Sequence, residues 1–299
     1  MRKPPRVLIA APTSSRHSKV IRKWMKAVDE LQYDKDRYAV LLVDNSKKKG
    51  KYGKMLRKWG AKVIDLDWND KKEHPLQMLA RARETYRLEA WKRKFDYILH
   101  LDTDVIIPKN GLKKLLSHDK DQVGFVIHAF YTRKGFERAY GKLIRKAKLK
   151  YSDFKSKPMI FRSGALQKTP KGWTTDYYDW KDIRSFKGKT VRVYASTIAC
   201  LLVKKKVYST IPFRTNDSLL WGEDLWYYAE ADEKGFESWC DTSVRCTHLN
   251  TSWQGIGSSP HKVGFEVAVT DTFHPINDDI AKAAKSGKVK VAVADVGRS

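Results

Sequence analysis

The chain has 299 residues, enough for one large α/β unit or two small domains. An apolar fraction of 41%, with ten Trp and fourteen Tyr, excludes a disordered protein. Sixty Lys and Arg stand against 34 Asp and Glu, a formal charge of +26, which points to an anionic partner or to a surface tuned for solubility. Cys200, Cys240 and Cys246 have no spacing that reads as a zinc site or a disulfide framework, so a reducing, cytoplasmic setting is expected, the host cytoplasm if the protein is viral.

Val7 to Ala11, followed by Pro12-Thr13-Ser14, reads as a buried strand running into a loop. The run is too short for a signal peptide or a membrane span, and no later stretch reaches spanning length. Val20, Ile21, Trp24, Met25 and Val28 have the spacing of an amphipathic helix, and Ala39 to Val43, ended by Asp44, reads as the next strand. Such near-continuous apolar strands suit a parallel sheet covered on both faces. Val63 to Leu66 predicts a third strand and Leu76 to Trp91 a helix; Tyr97 to Leu101 is a strand ending in Asp102-Thr103-Asp104, with a helix after it at about Leu112 to Leu116.

From Arg133 to Lys157 cations dominate, including Lys142, Arg145 and Lys146, with Tyr131, Phe136, Tyr140, Tyr151 and Phe154 among them. Trp173, Tyr177, Tyr178 and Trp180 follow in what reads as a Gly-containing loop, and aromatics among cations suit stacking on bases or sugars. Farther on, the pattern predicts a strand at about Ile198 to Val203, a helix from Leu225 to Lys234 stopped by Gly235, and a strand from Trp239 to Leu249 broken near Asp241. A basic C-terminal stretch closes the chain.

Asp102 and Asp104 stand two apart at the carboxyl end of a predicted parallel strand, so alternation would point both into the crevice where α/β sheets bind ligands. Two carboxylates that close call for a cation, and hard oxygen ligands suit Mg²⁺ or Mn²⁺, which stabilise a diphosphate leaving group. Glu223-Asp224 follows Trp221-Gly222 at a helix start, where capping is a sufficient explanation on local grounds. His248 ends a strand and is, alone, an ordinary strand histidine.

In order, however, strand-Asp44, strand-Asp102-Thr103-Asp104, Gly222-Glu223-Asp224, a helix, Gly235 and His248 resemble the GT-A nucleotide-sugar glycosyltransferases, particularly the family 2-like enzymes. The resemblance covers roughly Arg6 to Leu249. It implies a Rossmann-like, mostly parallel sheet flanked by helices, with an acceptor-side insertion. The expected division is 1–130 for nucleotide-sugar binding, 131–190 for the insertion, 191–275 for the acceptor and catalytic half and 276–299 for a tail.

The resemblance also implies roles. Pro12, Thr13 and Asp44 would hold the nucleoside; Arg83, Asp102 and Thr103 would contact the donor. Asp104 and His248, with Asp102 beside them, would bind Mn²⁺ or Mg²⁺. Asp224 would be the base of an inverting reaction, with Glu223 near the donor sugar or acceptor. The small-residue loop Ala195 to Cys200 lacks the glycine relatives carry there, and Arg83 is followed by Glu84 where relatives often have Asn.

The cationic segment and the overall charge favour a DNA acceptor, a hydroxymethylated pyrimidine as in phage-type DNA base glycosyltransferases. Such a base must be flipped or single-stranded to reach a buried carboxylate, with Trp173, Tyr177 or Trp253 a candidate to fill the gap. The alternatives are a glycan or lipid-linked acceptor at an anionic membrane surface, and a GT-A domain that binds nucleic acid without catalysis.

Overall fold

The computed structural model describes residues 3–46, 50–67, 75–130, 156–158, 160–169, 172–214 and 223–249. Most of the cationic segment, along with Trp221, Gly222, Trp253 and the C-terminal stretch, lies outside them.

Strands β1 (Val7–Thr13), β2 (Tyr38–Asp44), β3 (Lys62–Asp65) and β4 (Tyr97–Leu101) alternate with helices α1 (Ile21–Asp29), α2 (Lys51–Lys58) and α3 (Pro75–Lys92). After β4 come β5 (Val105–Ile106), α4 (Gly111–Ser117), β6 (Gln122–Val126) and β7 (His128–Phe130). Then follow β8 (Ser156–Pro158), β9 (Ile160–Thr169), β10 (Gly172–Tyr177), α5 (Trp180–Ser185), β11 (Thr190–Val193) and β12 (Ala195–Ser196). The last elements are β13 (Cys200–Lys204), α6 (Lys205–Tyr208), α7 (Glu223–Glu233), β14 (Ser238–Arg245) and β15 (Thr247–His248).

The central sheet has eight strands in the order β11-β14-β6-β13-β4-β1-β2-β3. β3, β2, β1, β4, β6 and β14 run one way, and only β13 and β11 run against them. The alternation of β1 assigns its two faces. Val7, Ile9 and Ala11 pack with Ile21, Trp24 and Val28 of α1 and with Leu112 and Leu115 of α4, whereas Leu8 and Ala10 pack with Ala82, Tyr86 and Ala90 of α3 and with Tyr227, Tyr228 and Ala231 of α7. Helices therefore cover both faces, which is what fully apolar parallel strands require.

The chain runs outward through β1, β2 and β3, and α3 then returns it to β4 on the other side of β1. This reversal opens a crevice at the carboxyl ends of β1 and β4, at Thr13 and Asp102. It is the main thing the fold does for the site.

Two expectations change. The stretch expected as a Gly-containing aromatic loop is instead β10, paired antiparallel with β9, followed by α5. Asp179 starts α5 with a capping box, its carboxylate accepting from the backbone of Lys181 and Asp182. Asp102 and Asp104 do not extend β4 by strand alternation. The Val105 amide donates to the Asp102 carbonyl at 2.8 Å and closes a tight turn, so the two carboxylates leave in different directions. Among the described residues, no helix is long and apolar enough to cross a membrane.

Candidate active site

The crevice is organised around one buried cation. Arg83 projects from α3; its Nε donates to Glu223 Oε1 at 2.9 Å, its Nη2 to Asp102 Oδ1 at 3.1 Å, and its Nη1 to the Tyr86 hydroxyl at 3.1 Å. Three elements meet on this guanidinium: the middle of α3, the turn after β4 and the first residue of α7. The planar fork serves several acceptors at once, which a lysine ammonium does less well. Burial works against the charge of Arg83, but Asp102, Tyr86 and Glu223 more than restore it and hold the group well above its ordinary value.

Behind the arginine, the Tyr86 hydroxyl lies 2.7 Å from His100 Nδ1. Because that hydroxyl already accepts from Arg83, it donates to Nδ1, which leaves the His100 proton on Nε2. Burial, then the Arg83 charge, pushes His100 well below the usual histidine range, so the imidazole is neutral. Its Nε2 has no hydrogen-bond partner among the described residues, and the Phe213 ring lies edge-on at 5.4 Å.

Glu223 is pushed up to about 7, first by burial and then by the neighbouring Asp224, with Arg83 opposing both. Asp224 is raised as well, again by burial, with Arg83 opposing. Its Oδ1 accepts the Leu225 amide at 2.9 Å. The capping explanation thus holds for one oxygen of Asp224 and leaves Oδ2 outside it.

On the other side of the turn, a two-residue antiparallel pairing of β5 with β15 sets His248 opposite Val105. The Leu249 amide donates to the Asp104 carbonyl at 2.7 Å and fixes the approach. His248 Nε2 comes to 3.4 Å from Asp104 Oδ2, with both side chains only 5% exposed. That separation is longer than a good hydrogen bond. A carboxylate oxygen and an imidazole nitrogen turned toward one another suit Mn²⁺ or Mg²⁺, whose remaining ligands come from phosphate oxygens and water. No group of three metal-ligating side chains occurs among the described residues, and Asp104 with His248 is a pair. Asp102, expected beside them, is 25% exposed and carries its ion pair with Arg83.

The residues expected to hold the nucleoside are arranged as follows. Pro12 and Thr13 belong to β1 and pair in register with Val43 and Asp44. The Asp44 carboxylate turns inward, its Oδ1 accepting the Ser46 amide at 2.9 Å and the Ser46 hydroxyl at 2.6 Å. Burial raises its pKa, and the Ser46 hydrogen bonds pull it back. Thr13 Oγ1 meets the Tyr52 hydroxyl at 3.1 Å and Thr103 Oγ1 at 3.3 Å, and Thr103 Oγ1 also meets His17 Nδ1. Both threonines are buried, and the Thr13 carbonyl accepts the Asn45 amide at 2.8 Å.

The loop from Ala195 to Cys200 lies against the acidic turn, the Ala199 carbonyl accepting the Asp102 amide at 3.0 Å. Glu84 is structural: it pairs with Arg87 and accepts the Phe213 amide at 2.9 Å. The sequence reading missed Tyr86, His100, His17 and Tyr52. Two carried signals, since Tyr86 is one helical turn from Arg83 and His100 interrupts an otherwise apolar strand.

No protein-family model matches the chain, and no curated protein matches it. Solved structures do. GalNAc-T7 with UDP, GalNAc and Mn²⁺ aligns over 94% of this chain and 48% of its own, at 14% identity and a TM-score of 0.52. TarS 1-349 of S. aureus aligns over 81% of this chain and 59% of its own, at 14% identity and a TM-score of 0.49. The mannosyltransferase PcManGT of Pyrobaculum calidifontis, in complex with GDP-Man and Mn²⁺, aligns over 82% and 56%, at 14% identity and a TM-score of 0.46. The chain spans less than two thirds of each of these. The likeness to GalNAc-T7 shows the fold, a GT-A sheet of mostly parallel strands flanked by helices.

Proposed function

We propose that the protein is a metal-dependent glycosyltransferase that moves a sugar from a nucleoside-diphosphate sugar to a hydroxyl, the acceptor being a hydroxymethylated pyrimidine base in DNA. The observation that carries the reading is the convergence at the sheet's switch point: Asp104 faces His248 at 3.4 Å, and Asp102, Arg83 and Glu223 are joined beside them. The GT-A fold and the UDP, GalNAc and Mn²⁺ of the GalNAc-T7 structure agree with it. The charge of +26 supports a polyanionic acceptor.

Asp104 and His248 would hold the divalent cation, which offsets the charge of the departing nucleoside diphosphate. Asp102, fixed by Arg83, orients the donor. Glu223 acts through the same guanidinium and is a positioning residue. Asp224 is the base: with Oδ1 engaged by the Leu225 amide, Oδ2 takes the acceptor hydroxyl's proton as that oxygen attacks the anomeric carbon. A carboxyl raised by burial is better matched to proton transfer near neutral pH than an exposed one.

The test is a panel of nucleotide sugars with Mn²⁺, using hydroxymethylated and unmodified DNA as acceptors, read by mass spectrometry of the nucleosides. One sugar's mass added to the hydroxymethylated nucleoside, lost in Asp104→Ala, is the expected result. Absence of both transfer and donor hydrolysis across the panel rejects the enzyme; hydrolysis without transfer rejects the acceptor.

A further inference from the structure

An open recess of about 450 Å³ lies outside the crevice, lined by Val126, Trp180, Ile183, Arg184, Gly188 and Arg245. Val126 ends β6 and Arg245 ends β14. Both strands run parallel to β4, so the recess opens at the same edge of the sheet as Asp102 and Thr13. Only β13 separates β6 from β4, which at ~4.8 Å per strand sets the two strand ends roughly 10 Å apart.

The wall of the recess is built by a bulge. Asp241 pairs with Phe125 while Arg245 pairs with Val126, so the residues between them, Thr242 to Val244, loop out of β14. That loop is pinned. Thr242 donates its amide and hydroxyl to the Lys189 carbonyl, and Ser243 donates its amide and hydroxyl to Asp241 Oδ1. Gly188, at φ +74°, backs onto it, where an added Cβ would come within 3.2 Å of Ser243 Cβ.

The bulge delivers Arg245 to the recess with its guanidinium 4.4 Å from the Trp180 ring centroid, a stacked cation. Arg184 stands with it, exposed, its guanidinium meeting no side-chain acceptor among the described residues. Lys181, Lys187 and Lys189 are exposed on the same segment. Its acids are committed elsewhere: Asp179 caps α5, Asp182 takes Arg162 at 2.6 Å, and buried Asp241 takes His118 at 2.9 Å. The result is a concave cationic site with an apolar floor of Val126 and Ile183.

We infer that this recess holds a phosphodiester of the nucleic-acid strand that carries the acceptor, gripped by Arg184 beside the wall that stacked Arg245 forms, with its sugar against the floor. The inference rests on the glycosyltransferase reading and extends it by placing the strand beside the donor crevice. Guanidinium forks match phosphate oxygens in geometry as well as charge. A flat bilayer would bear on the lysine rim and leave the recess untouched, whereas a flexible strand enters it. Arg245 also stands three residues before His248, so the strand and the cation site share one short piece of chain.

The test uses the full chain and a fluorescent single-stranded oligonucleotide, without donor, read by anisotropy across a salt series. Arg184→Ala should lower the slope of log affinity against log salt by about 0.7, the contribution of one single-strand phosphate. Arg184→Glu should weaken binding about tenfold or more, and Trp180→Leu should weaken it through loss of the stacked Arg245. Wild-type affinity and slope in Arg184→Glu would overturn the inference. So would a loss confined to phosphatidylglycerol vesicles, which would mark a membrane surface instead. Donor hydrolysis by the wild-type protein with Mn²⁺ is measured separately, so a failure of the glycosyltransferase reading is not confused with a failure of strand binding.

Discussion

Among the described residues, two aspartate–histidine pairs tie the stretch after β4 to β14 and β15, and they are built differently. Asp241 on β14 is saturated: Oδ1 accepts the Ser243 amide and hydroxyl, and Oδ2 accepts His118 at 2.9 Å with Lys114 at 3.6 Å. Burial alone would raise its pKa, but those hydrogen bonds and the lysine outweigh it and hold Asp241 below the ordinary aspartate value. Asp104 faces His248 at 3.4 Å, and its neighbours Asp102 and Glu223 share Arg83 between them. Glu223, unlike Asp241, is raised, because burial outweighs what one shared guanidinium returns. A carboxylate with its own donors is a structural post, whereas Asp102 and Glu223 divide one guanidinium between them, the arrangement on which the proposed donor site rests.

The largest test of that contrast is Arg83→Met. It strands Glu223 in the interior, leaves Asp102 without its cation, and should cost about 3–5 kcal/mol in urea unfolding, with activity lost. Arg83→Lys should recover part of the stability, since a point charge serves fewer partners. Asp241→Asn should cost about 1–3 kcal/mol, and a larger loss there than in Arg83→Met would invert the comparison.

Asp104→Asn and His248→Ala should each reduce Mn²⁺-dependent donor turnover on the order of 10³-fold, the equivalent of several kcal/mol of charge stabilisation. His118→Ala should leave turnover near the wild-type rate. If His118→Ala abolishes Mn²⁺ dependence, the two pairs have been assigned the wrong way round.

The pH dependence of stability should have opposite signs in the two regions. Glu223 has a folded pKa of about 7. Its unfolded value is about 4.3, so the folded state binds the extra proton. Its contribution is complete below about pH 4 and lost as pH rises through about 7; Glu223→Gln should flatten thermal melts across that window. Asp241 is depressed, so its contribution is present above about pH 4 and lost as pH falls through its lower folded value. Asp241→Asn should therefore lower stability at neutral pH and remove the further loss on the acid side. The smallest effect is Tyr86→Phe, which removes the hydroxyl between Arg83 and His100 and should cost about 1 kcal/mol.

Much of the first half was legible because its signals are local. Val7 to Ala11, Ala39 to Val43 and Tyr97 to Leu101 are apolar runs between breakers, and each is a strand in the structure. Gly235, at φ +76°, follows α7 as its place in the sequence foretold. β6 escaped notice because Gln122-Val123-Gly124-Phe125-Val126 follows a polar run and carries a glycine, and only its neighbours β13 and β14 make it a strand. The aromatic stretch from Gly172 read as a loop for a similar reason: its partner, β9, lies across a short connection whose pairing leaves little mark on composition.

The site divides in the same way. The order Asp44, Asp102, Asp104, Glu223, Asp224 and His248 was present in the sequence, because each follows a recognisable strand or opens a helix. What Arg83 does was not, since its partners lie 19 and 140 residues away and only the return of α3 across the sheet brings them to one guanidinium. The same holds for the turn at Val105, which sent Asp102 toward α3 and Asp104 toward β15 where strand alternation would have kept them together. Sequence determined the elements and the candidate acids, because periodicity and breakers act over a few residues. Tertiary structure decided which acid shares a cation, which faces an imidazole and which is saturated, because those are properties of distances that the chain closes only on folding.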